Sequence, residues 1–275
     1  MRKFDFHFHC DIDDSSKIAE LAALCRKLDT VLALSGGLRY GSHDYLPNEK
    51  VLEICQKNPD WFVPMAKFDL WDTVEPDRIY RWKETGVKGV KFIYPYYPYD
   101  HDLYMPVYEA CEDCGLPALF HTGSFRPGPA DVEWKRPVLT NMSPFGLDRI
   151  ARSFQKLHIV MAHLGTRLYR EQAASLVCQH PNLYADLAGS GSWMGVQPEE
   201  LERLFKPFPT AFLGEDIFKN FRKIVYGSDG YVSYPAPLSE SQPYYERLLR
   251  LNNVPEEIRN GIMGGTAASW MGIPL

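Results

Sequence analysis

Residues 3–9 read Lys3-Phe-Asp-Phe-His-Phe-His9, in which aromatic and polar side chains alternate. A period of two is typical of a β-strand, whose successive side chains point to opposite faces. We therefore expect His7 and His9 to share one face, two rises of roughly 3.3 Å apart, and Phe6 and Phe8 to point away and pack under helices. Two imidazoles on one face can bind one metal ion at about 2.0–2.1 Å each. Alone, a His-x-His pair is a weak signal, because most such pairs bind no metal.

Short runs rich in β-branched or aromatic residues alternate with longer amphipathic segments along the whole chain. The predicted strands are Lys3 to His9, Thr30 to Leu34, Phe62 to Phe68, Gly89 to Ile93, Ala118 to His121, His158 to His163, Leu183 to Leu187 and Lys223 to Ser228. The predicted helices are Ser15 to Leu28, Asn48 to Lys57, Glu75 to Thr85, Leu103 to Cys114, Leu147 to Lys156 and Arg167 to His180. This alternation predicts the α/β class and a (β/α)8 TIM barrel. No linker or change of composition divides the chain, so residues 1–275 are predicted to form a single domain.

The overall composition excludes several kinds of partner. The net charge of −5 and the pI near 5.9 offer no basic surface to a phosphate backbone, so nucleic acid is not expected as a partner. No apolar run approaches the roughly 20 residues of a membrane span or forms the core of a signal peptide. We therefore predict a cytoplasmic protein with no membrane partner. The six cysteines are too sparse for a disulfide scaffold and are interpreted as structural thiols.

Three more polar residues close predicted strands. His121 ends the run Pro117-Ala-Leu-Phe-His, His163 ends His158-Ile-Val-Met-Ala-His, and Asp229 follows Ile224-Val-Tyr-Gly-Ser. The carboxyl ends of barrel strands converge on the face that carries the active site in such folds. We therefore expect these three side chains to meet the two histidines of the first strand there. Three other histidines fall on helices or in polar loops and are interpreted as solvated or capping residues: His43, His101 and His180.

Four segments together resemble the amidohydrolase superfamily. They are Asp5-Phe-His-Phe-His9, Phe120-His-Thr-Gly123, Ala162-His-Leu-Gly165 and Gly227-Ser-Asp229. Their order and spacing are similar to the branch that contains aminocarboxymuconate-semialdehyde decarboxylase, γ-resorcylate decarboxylase and related hydrolases. Gly86-Val-Lys-Gly-Val-Lys-Phe92 supports the resemblance, whereas Ile262-Met-Gly-Gly-Thr-Ala267 has Thr266 where the branch has Asn. The resemblance implies a distorted barrel of the metal-dependent hydrolase type.

The resemblance also implies roles for the strand-end residues. His7, His9, His121 and Asp229 would bind one divalent metal ion, with zinc expected and manganese or iron as alternatives. Neutral imidazoles and a carboxylate suit an ion of borderline softness, and an open position lets a bound water reach a pKa of about 7. The catalytic residues would be His163, which handles the proton, and Asp229, which orients the nucleophile.

The role of Lys91, on the fourth strand, has two interpretations. In two-metal members of the superfamily a lysine of this strand is carboxylated and bridges the ions, and His121 and His163 would then hold the second ion. Otherwise Lys91 would bind a substrate carboxylate or pair with an acid. Residues just beyond strand ends are the other substrate-binding candidates: Tyr94, Arg126, Arg167 and Trp193, with Tyr231 nearby. The loop Tyr94-Pro-Tyr-Tyr-Pro-Tyr99 either stacks on a flat ligand or packs between barrel loops, and the arginines bind a carboxylate or form surface salt bridges.

These observations favour a metal-dependent hydrolase that activates water against the amide, lactone or ester carbonyl of a small molecule, itself a carboxylate or an aromatic compound. The alternative is non-oxidative decarboxylation of an aromatic or unsaturated acid at the same metal site. A catalytically silent barrel that has lost its metal is a third hypothesis, which the full set of five polar strand-end residues disfavours. A homodimer is compatible with the sequence, but no pattern in it indicates one.

Overall fold

The computed structural model describes residues 2–36, 46–125, 138–189, 195–206 and 216–275. Within these ranges, nine strands form one sheet in which every pairing is parallel. The strands are β1 (Lys3–His9), β2 (Thr30–Ser35), β3 (Phe62–Phe68), β4 (Gly89–Phe92), β5 (Ala118–His121), β6 (Ile159–Ala162), β7 (Leu183–Asp186), β8 (Ile224–Val225) and β9 (Gly230–Tyr231). Strands β1 to β8 follow one another across the sheet in chain order, and β9 lies beside β1.

The segment from β8 to β9 closes the barrel. β8 pairs with β7, whereas β9 pairs with β1. Between them, the N–H of Phe6 donates to the carbonyl oxygen of Tyr226 at 3.0 Å, and the N–H of Asp229 donates to the carbonyl oxygen of His7 at 2.8 Å. The eighth strand position is thus split into two short pieces that join β7 to β1. The (β/α)8 TIM barrel predicted from the sequence is confirmed, in a distorted form.

Helices alternate with the strands. They are α1 (Ser15–Leu28), α2 (Asn48–Lys57), α3 (Asp77–Thr85), α4 (Met105–Asp113), α5 (Gly146–Ser153), α6 (Thr166–Gln179), α7 (Pro198–Phe205), α8 (Ala236–Leu251), α9 (Glu256–Asn260) and α10 (Thr266–Met271). The first begins after Asp14, whose carboxylate accepts the N–H groups of Ser16 and Lys17, and it ends at Asp29 in the left-handed conformation. None of the helices in the described part of the chain combines the length and the apolar character needed to cross a membrane.

Phe6 and Phe8 do not share a face, so this part of the prediction for β1 is wrong. Phe6 packs edge-on against Trp270 of α10, with ring centroids 6.1 Å apart, whereas Phe8 packs in a separate cluster with α1. The pairing of β1 with β2 is irregular between Asp5 and Phe8, and there the Asp5 carboxylate accepts the N–H of His7 at 3.0 Å. Such a bulge re-aims the side chains beyond it, and the two histidines that follow still share one side.

The C-terminal helix α10 closes the amino-terminal end of the barrel. Its Ala267 and Met271 belong to the same buried cluster as Phe4 and other interior residues of the strands. Gly264, just before α10, has φ +149 and packs so closely on β1 that an added Cβ would lie 2.3 Å from the nitrogen of Phe4. Apolar residues therefore fill this end, and polar side chains collect at the opposite, carboxyl end.

Candidate metal centre

Six polar side chains meet at the carboxyl ends of the strands, and we name them the strand-end cluster. Its members are His7 and His9 of β1, His121 of β5, His163 after β6, Asp186 of β7 and Asp229 between β8 and β9. All are buried except Asp229, which is partly exposed. The strand ends converge because every strand of the barrel points the same way. The sequence pointed to five of the six, and Asp186 is the addition that the structure makes.

Asp229 links the two histidines of β1. Its Oδ1 lies 3.1 Å from Nε2 of His7 and 3.0 Å from Nε2 of His9. The ligand atoms of these three residues all lie within 4.8 Å of one another. Burial alone would raise the pKa of Asp229, but His7 and His163 outweigh it and hold the pKa well below its usual range. The carboxylate is therefore ionised and can only accept hydrogen bonds or bind a cation.

The contact with Ser35 indicates which nitrogen of the His9 ring carries the proton. The Ser35 hydroxyl donates to the carbonyl oxygen of Phe8 at 3.1 Å, so it has no proton left for Nδ1 of His9, 3.3 Å away. We therefore assign the ring proton to Nδ1, which leaves the lone pair on Nε2 beside Asp229. Burial lowers the pKa of His9 to about 3, so the ring is neutral. A neutral ring with this tautomer presents Nε2 as a metal ligand.

His7 lies between two carboxylates and one ammonium group. Its Nδ1 lies 2.9 Å from Oδ2 of Asp186, and its Nε2 lies 2.5 Å from Nζ of Lys91. Burial and Lys91 lower the pKa of His7, but the carboxylates of Asp186 and Asp229 outweigh them and raise it above its usual value. The two carboxylates thus favour the protonated form of this ring.

A chain of hydrogen bonds runs from the end of β7 to His121. Nδ1 of His163 donates to the carbonyl oxygen of Ala188 at 2.8 Å, since a carbonyl oxygen can only accept. Burial lowers the pKa of His163, so its Nε2 carries a lone pair and accepts from Nδ1 of His121 at 3.1 Å. Nε2 of His121 then holds the lone pair of that ring, and it is buried without a hydrogen-bond partner in the described part of the chain. A buried acceptor of this kind calls for a ligand or a cation.

Several non-glycine residues around the strand ends have φ angles in the left-handed region, among them three in or beside the strand-end cluster. The φ angle is +57° at Tyr94, +66° at His163 and +59° at Asp229. For residues other than glycine this costs about 1–3 kcal/mol each, and it persists only where the surrounding structure imposes it. At His163 the imposing contact is the Asp186 Oδ1 atom, which accepts the backbone N–H at 2.7 Å. Strain collected at one rim of the barrel is typical of a functional site.

A sequence profile described as amidohydrolase matches residues 35–273, which is most of the chain. The chain belongs to the amidohydrolase family. A search of curated proteins found no match.

Solved structures similar to this amidohydrolase cover it almost completely. An uncharacterised TIM-barrel protein from Bordetella bronchiseptica has a TM-score of 0.70 at 15% identity, with 99% of both chains covered. A 2,6-dihydroxybenzoate decarboxylase from Rhizobium has a TM-score of 0.63 at 14% identity, with 99% of both chains covered. A probable 2-pyrone-4,6-dicarboxylic acid hydrolase from Acinetobacter baumannii, with citric acid bound, has a TM-score of 0.60 at 13% identity and covers 99% of this chain and 100% of its own. At these identities the likeness shows the fold.

Proteins of this family bind a divalent metal ion, and the strand-end cluster of this amidohydrolase fits one. The Nε2 atoms of His7 and His9 face the ionised Asp229, so with both rings neutral these three atoms could bind one cation together. His121 is outside this group of mutually close ligand atoms, but its unpartnered Nε2 is the buried polar atom that a metal ion would satisfy. A second close group, His7 with His163 and Asp186, is already joined by the hydrogen bond at Nδ1 of His7.

The residues predicted to bind substrate lie at different distances from the strand-end cluster, and two of them are not described by the structure. Lys91 is buried beside His7, and burial lowers its pKa to about 8. The ring of Tyr94 is buried 6.2 Å from the His121 ring, whereas Arg167 is exposed in the first turn of α6. Tyr231 stacks on His9 with ring centroids 4.9 Å apart. Arg126 and Trp193 lie outside the described residues.

The aromatic loop after β4 packs mainly between barrel loops. The Tyr99 hydroxyl donates to the carbonyl oxygen of His121 at 2.8 Å, and Tyr97 stacks on His101 at 4.3 Å. The loop contacts the strand-end cluster at His121, where Tyr94 lies beside the ring and Tyr99 bonds to the backbone.

Two of the discounted histidines can be placed. His101 is exposed and its Nδ1 accepts the N–H of Leu103 at 3.2 Å, so the interpretation as a capping residue is confirmed. The ring of His180 is buried, with its Nε2 2.8 Å from Asp148, so this residue is not solvated, but it is the C-cap of α6 and the interpretation as a capping residue is confirmed here too. His43 lies outside the described residues.

Sequence reasoning missed Asp186. It is the last residue of β7, a carboxylate at the end of an apolar strand like the residues that were found. The same strand-end rule therefore identifies it, although no motif does. Its carboxylate contacts two other members of the strand-end cluster, His7 and His163.

Proposed function

We propose that this amidohydrolase is a metal-dependent hydrolase that attacks the amide, lactone or ester carbonyl of a small molecule with water. The convergence of acceptors carries the proposal: the Nε2 atoms of His7 and His9 face the ionised Asp229, and the buried Nε2 of His121 has no partner in the described part of the chain. His7, His9, His121 and Asp229 would hold one divalent ion. When bound, the ion polarises a carbonyl group and lowers the pKa of water.

Asp229 and His163 would move the proton. Asp229 is ionised and partly exposed, so it can accept the proton that water loses as the new carbon–oxygen bond forms. His163 presents a lone pair at Nε2, which is available once the contact with His121 is exchanged for one with substrate. It would carry the proton to the leaving group as the carbon–nitrogen or carbon–oxygen bond breaks.

The charges at the strand ends favour an anionic substrate. Lys91 is a buried ammonium group, and together with a divalent ion it would outweigh the carboxylates of Asp186 and Asp229. We propose that the substrate bears a carboxylate or an aromatic ring, with Lys91 and Tyr94 among its contacts. Arg126, Arg167 and Trp193 are further proposed substrate contacts.

Decarboxylation of an aromatic or unsaturated acid is the second candidate. The buried Lys91 is compatible with it, because an ammonium group can bind the carboxylate of such an acid in the site. The Rhizobium enzyme of the same fold acts on such an acid. Here His163 or Asp229, after taking a proton from water, would deliver it to the carbon from which CO₂ leaves, and the hydroxide that remains would combine with the CO₂ as bicarbonate.

Metal analysis of purified variants tests the shared metal site. We expect about one zinc, manganese or iron per wild-type chain, loss of the metal in His121→Ala, and retained metal with activity lowered about 10²–10⁴-fold in His163→Ala. His101→Ala, which removes an exposed capping ring, is the control and should change neither. Equal metal loss in the His121 and His163 variants would favour two ions and a carboxylated Lys91 instead.

Product analysis separates the two reactions. The metal-loaded protein is offered lactones, esters and amides of aromatic acids, and the free aromatic acids. Hydrolysis predicts ring opening or release of an alcohol or amine without CO₂. Release of CO₂ from a free acid, abolished in His163→Ala, would replace the hydrolase assignment with the decarboxylase one.

A further inference from the structure

Asp186 accepts hydrogen bonds with both of its oxygens and is completely buried. Its Oδ2 lies 2.9 Å from Nδ1 of His7, and its Oδ1 accepts the backbone N–H groups of His163 at 2.7 Å and Ala188 at 3.0 Å. Burial would raise the pKa of Asp186, but His7 and His163 outweigh it and hold the pKa below its usual value. The two backbone N–H groups on Oδ1 can only donate, so the contacts themselves hold Asp186 as an acceptor and leave Oδ2 to accept from His7.

The tautomer of His7 follows from these contacts. A neutral imidazole has one N–H and one lone pair. In the neutral form of His7, which is the form that binds a metal ion, the one ring proton lies on Nδ1, because Oδ2 of Asp186 accepts there. The other nitrogen, Nε2, accepts from the ammonium group of Lys91 at 2.5 Å and faces Asp229, which agrees with a lone pair there.

The same short segment sets the tautomer of a second ring. Ala188, two residues after Asp186, accepts from Nδ1 of His163 at 2.8 Å. The N–H of Ala188 is in turn held by Asp186, as is the N–H of His163. The end of β7 thus places Nε2 lone pairs on two imidazoles from opposite parts of the barrel.

We propose that Asp186 is a positioning residue that holds His7 in the Nδ1–H tautomer and thereby keeps Nε2 available to the metal ion. This inference rests on the metal site proposed above. A carboxylate on the far nitrogen also increases the basicity of the ligating one, and loss of such a partner typically costs about 10–100-fold in metal affinity.

Asp186→Asn separates tautomer control from packing. The variant has nearly the same shape but a single acceptor oxygen. If that oxygen accepts the two backbone N–H groups, the amide NH₂ faces Nδ1 of His7. The His7 proton then moves to Nε2, and a protonated Nε2 cannot bind a metal ion.

The control is a second aspartate–histidine pair outside the strand-end cluster. Asp148 contacts Nε2 of His180 at 2.8 Å near the surface. Asp148→Asn therefore makes the same chemical change where no metal is proposed, and it should leave metal affinity unchanged.

Competition of Zn²⁺ with a chelator gives the affinity of each variant. We expect Asp186→Asn to bind Zn²⁺ about 10–100-fold more weakly than the wild type, with its far-ultraviolet circular dichroism unchanged. An affinity equal to that of the wild type would overturn the proposal. Failure of the wild type itself to bind Zn²⁺, Mn²⁺ or Fe²⁺ would instead overturn the metal site.

Nitrogen-15 NMR of the metal-free wild type at alkaline pH tests the tautomer without any variant at Asp186. His7 is assigned by comparison with His7→Gln. We expect a protonated Nδ1 and an unprotonated Nε2 on this ring. An Nε2–H tautomer would overturn the proposal even if Asp186→Asn does not fold.

Discussion

Oδ1 of Asp229 lies 3.0 Å from Nε2 of His9, although 220 positions separate the two residues in the chain. Ring closure creates this contact, because β9 directly after Asp229 pairs with β1. The backbone of Asp229 is also tied to β1 through its N–H, which donates to the carbonyl oxygen of His7 at 2.8 Å. The proposed metal site and the closure of the barrel therefore depend on the same few residues.

Asp229→Asn should weaken metal binding without unfolding the protein. Asparagine tolerates the left-handed conformation observed at this position, φ +59°, and it keeps an oxygen near His7 and His9. It lacks the negative charge that balances a divalent ion, so we expect at least a tenfold loss of Zn²⁺ affinity, measured by chelator competition. An unchanged affinity would remove Asp229 from the set of ligands.

Gly189→Ala should disturb the site, whereas Gly86→Ala should not. Both glycines have positive φ, +93° and +99°, so each alanine costs about 1 kcal/mol in backbone strain. A Cβ at Gly189 would also lie 2.6 Å from Nδ1 of His163 and 3.0 Å from Oδ2 of Asp229, while a Cβ at Gly86 meets nothing within 4 Å. Thermal unfolding should therefore show the larger loss for Gly189→Ala, accompanied by lower metal content. Similar metal content in both variants would contradict this account.

Thr122→Val should destabilise the turn that carries His163. The buried Thr122 hydroxyl donates to the carbonyl oxygen of Ala162 at 2.7 Å and accepts the N–H of Gly165 at 3.1 Å. Valine has the same shape but leaves both groups buried and unpaired, which costs about 1–3 kcal/mol in the free energy of unfolding. Thr122→Ser keeps the hydroxyl and is the control. Urea denaturation measures both, and equal losses would mean that packing rather than hydrogen bonding matters here.

The pairing of Asp148 with Arg152 and His180 should contribute stability that disappears in acid. Hydrogen bonding to Arg152, and then to His180, lowers the pKa of Asp148 below its usual value of 3.8. A carboxylate with a lowered folded-state pKa stabilises the fold fully above the unfolded-state pKa, and the contribution is lost as the pH falls through the folded-state value. We expect Asp148→Asn to cost at most about 1 kcal/mol near neutral pH, because the pair is partly exposed.

A series of denaturant titrations from neutral to acid pH tests whether the stabilising contribution of Asp148 decreases as the pH falls. The difference between wild type and Asp148→Asn should shrink once the pH falls below about 4. A difference that grows in acid would contradict the assignment of the lowered pKa to this pair.

Much of the architecture can be predicted from the sequence. The alternation of short strands and amphipathic helices predicted the barrel, and α1 and α2 have the predicted bounds. His121, His163 and Asp229 were identified because each is a polar residue at the end of an apolar run. Side chains at the carboxyl ends of barrel strands lie at the same face of the barrel. These inferences succeed because period and strand order are local properties of the chain.

By itself, then, the sequence determined the barrel and the strand-end residues that face its mouth. The tertiary structure alone decided the bulge that separates Phe6 from Phe8, the split of the eighth strand, and which nitrogen of each imidazole carries the proton. Those features depend on contacts between β1, β7 and β9, above all the Asp186 carboxylate against His7. Hydrogen bonds between residues far apart in the chain leave no periodic trace in the sequence, and only the folded barrel brings their donors and acceptors together.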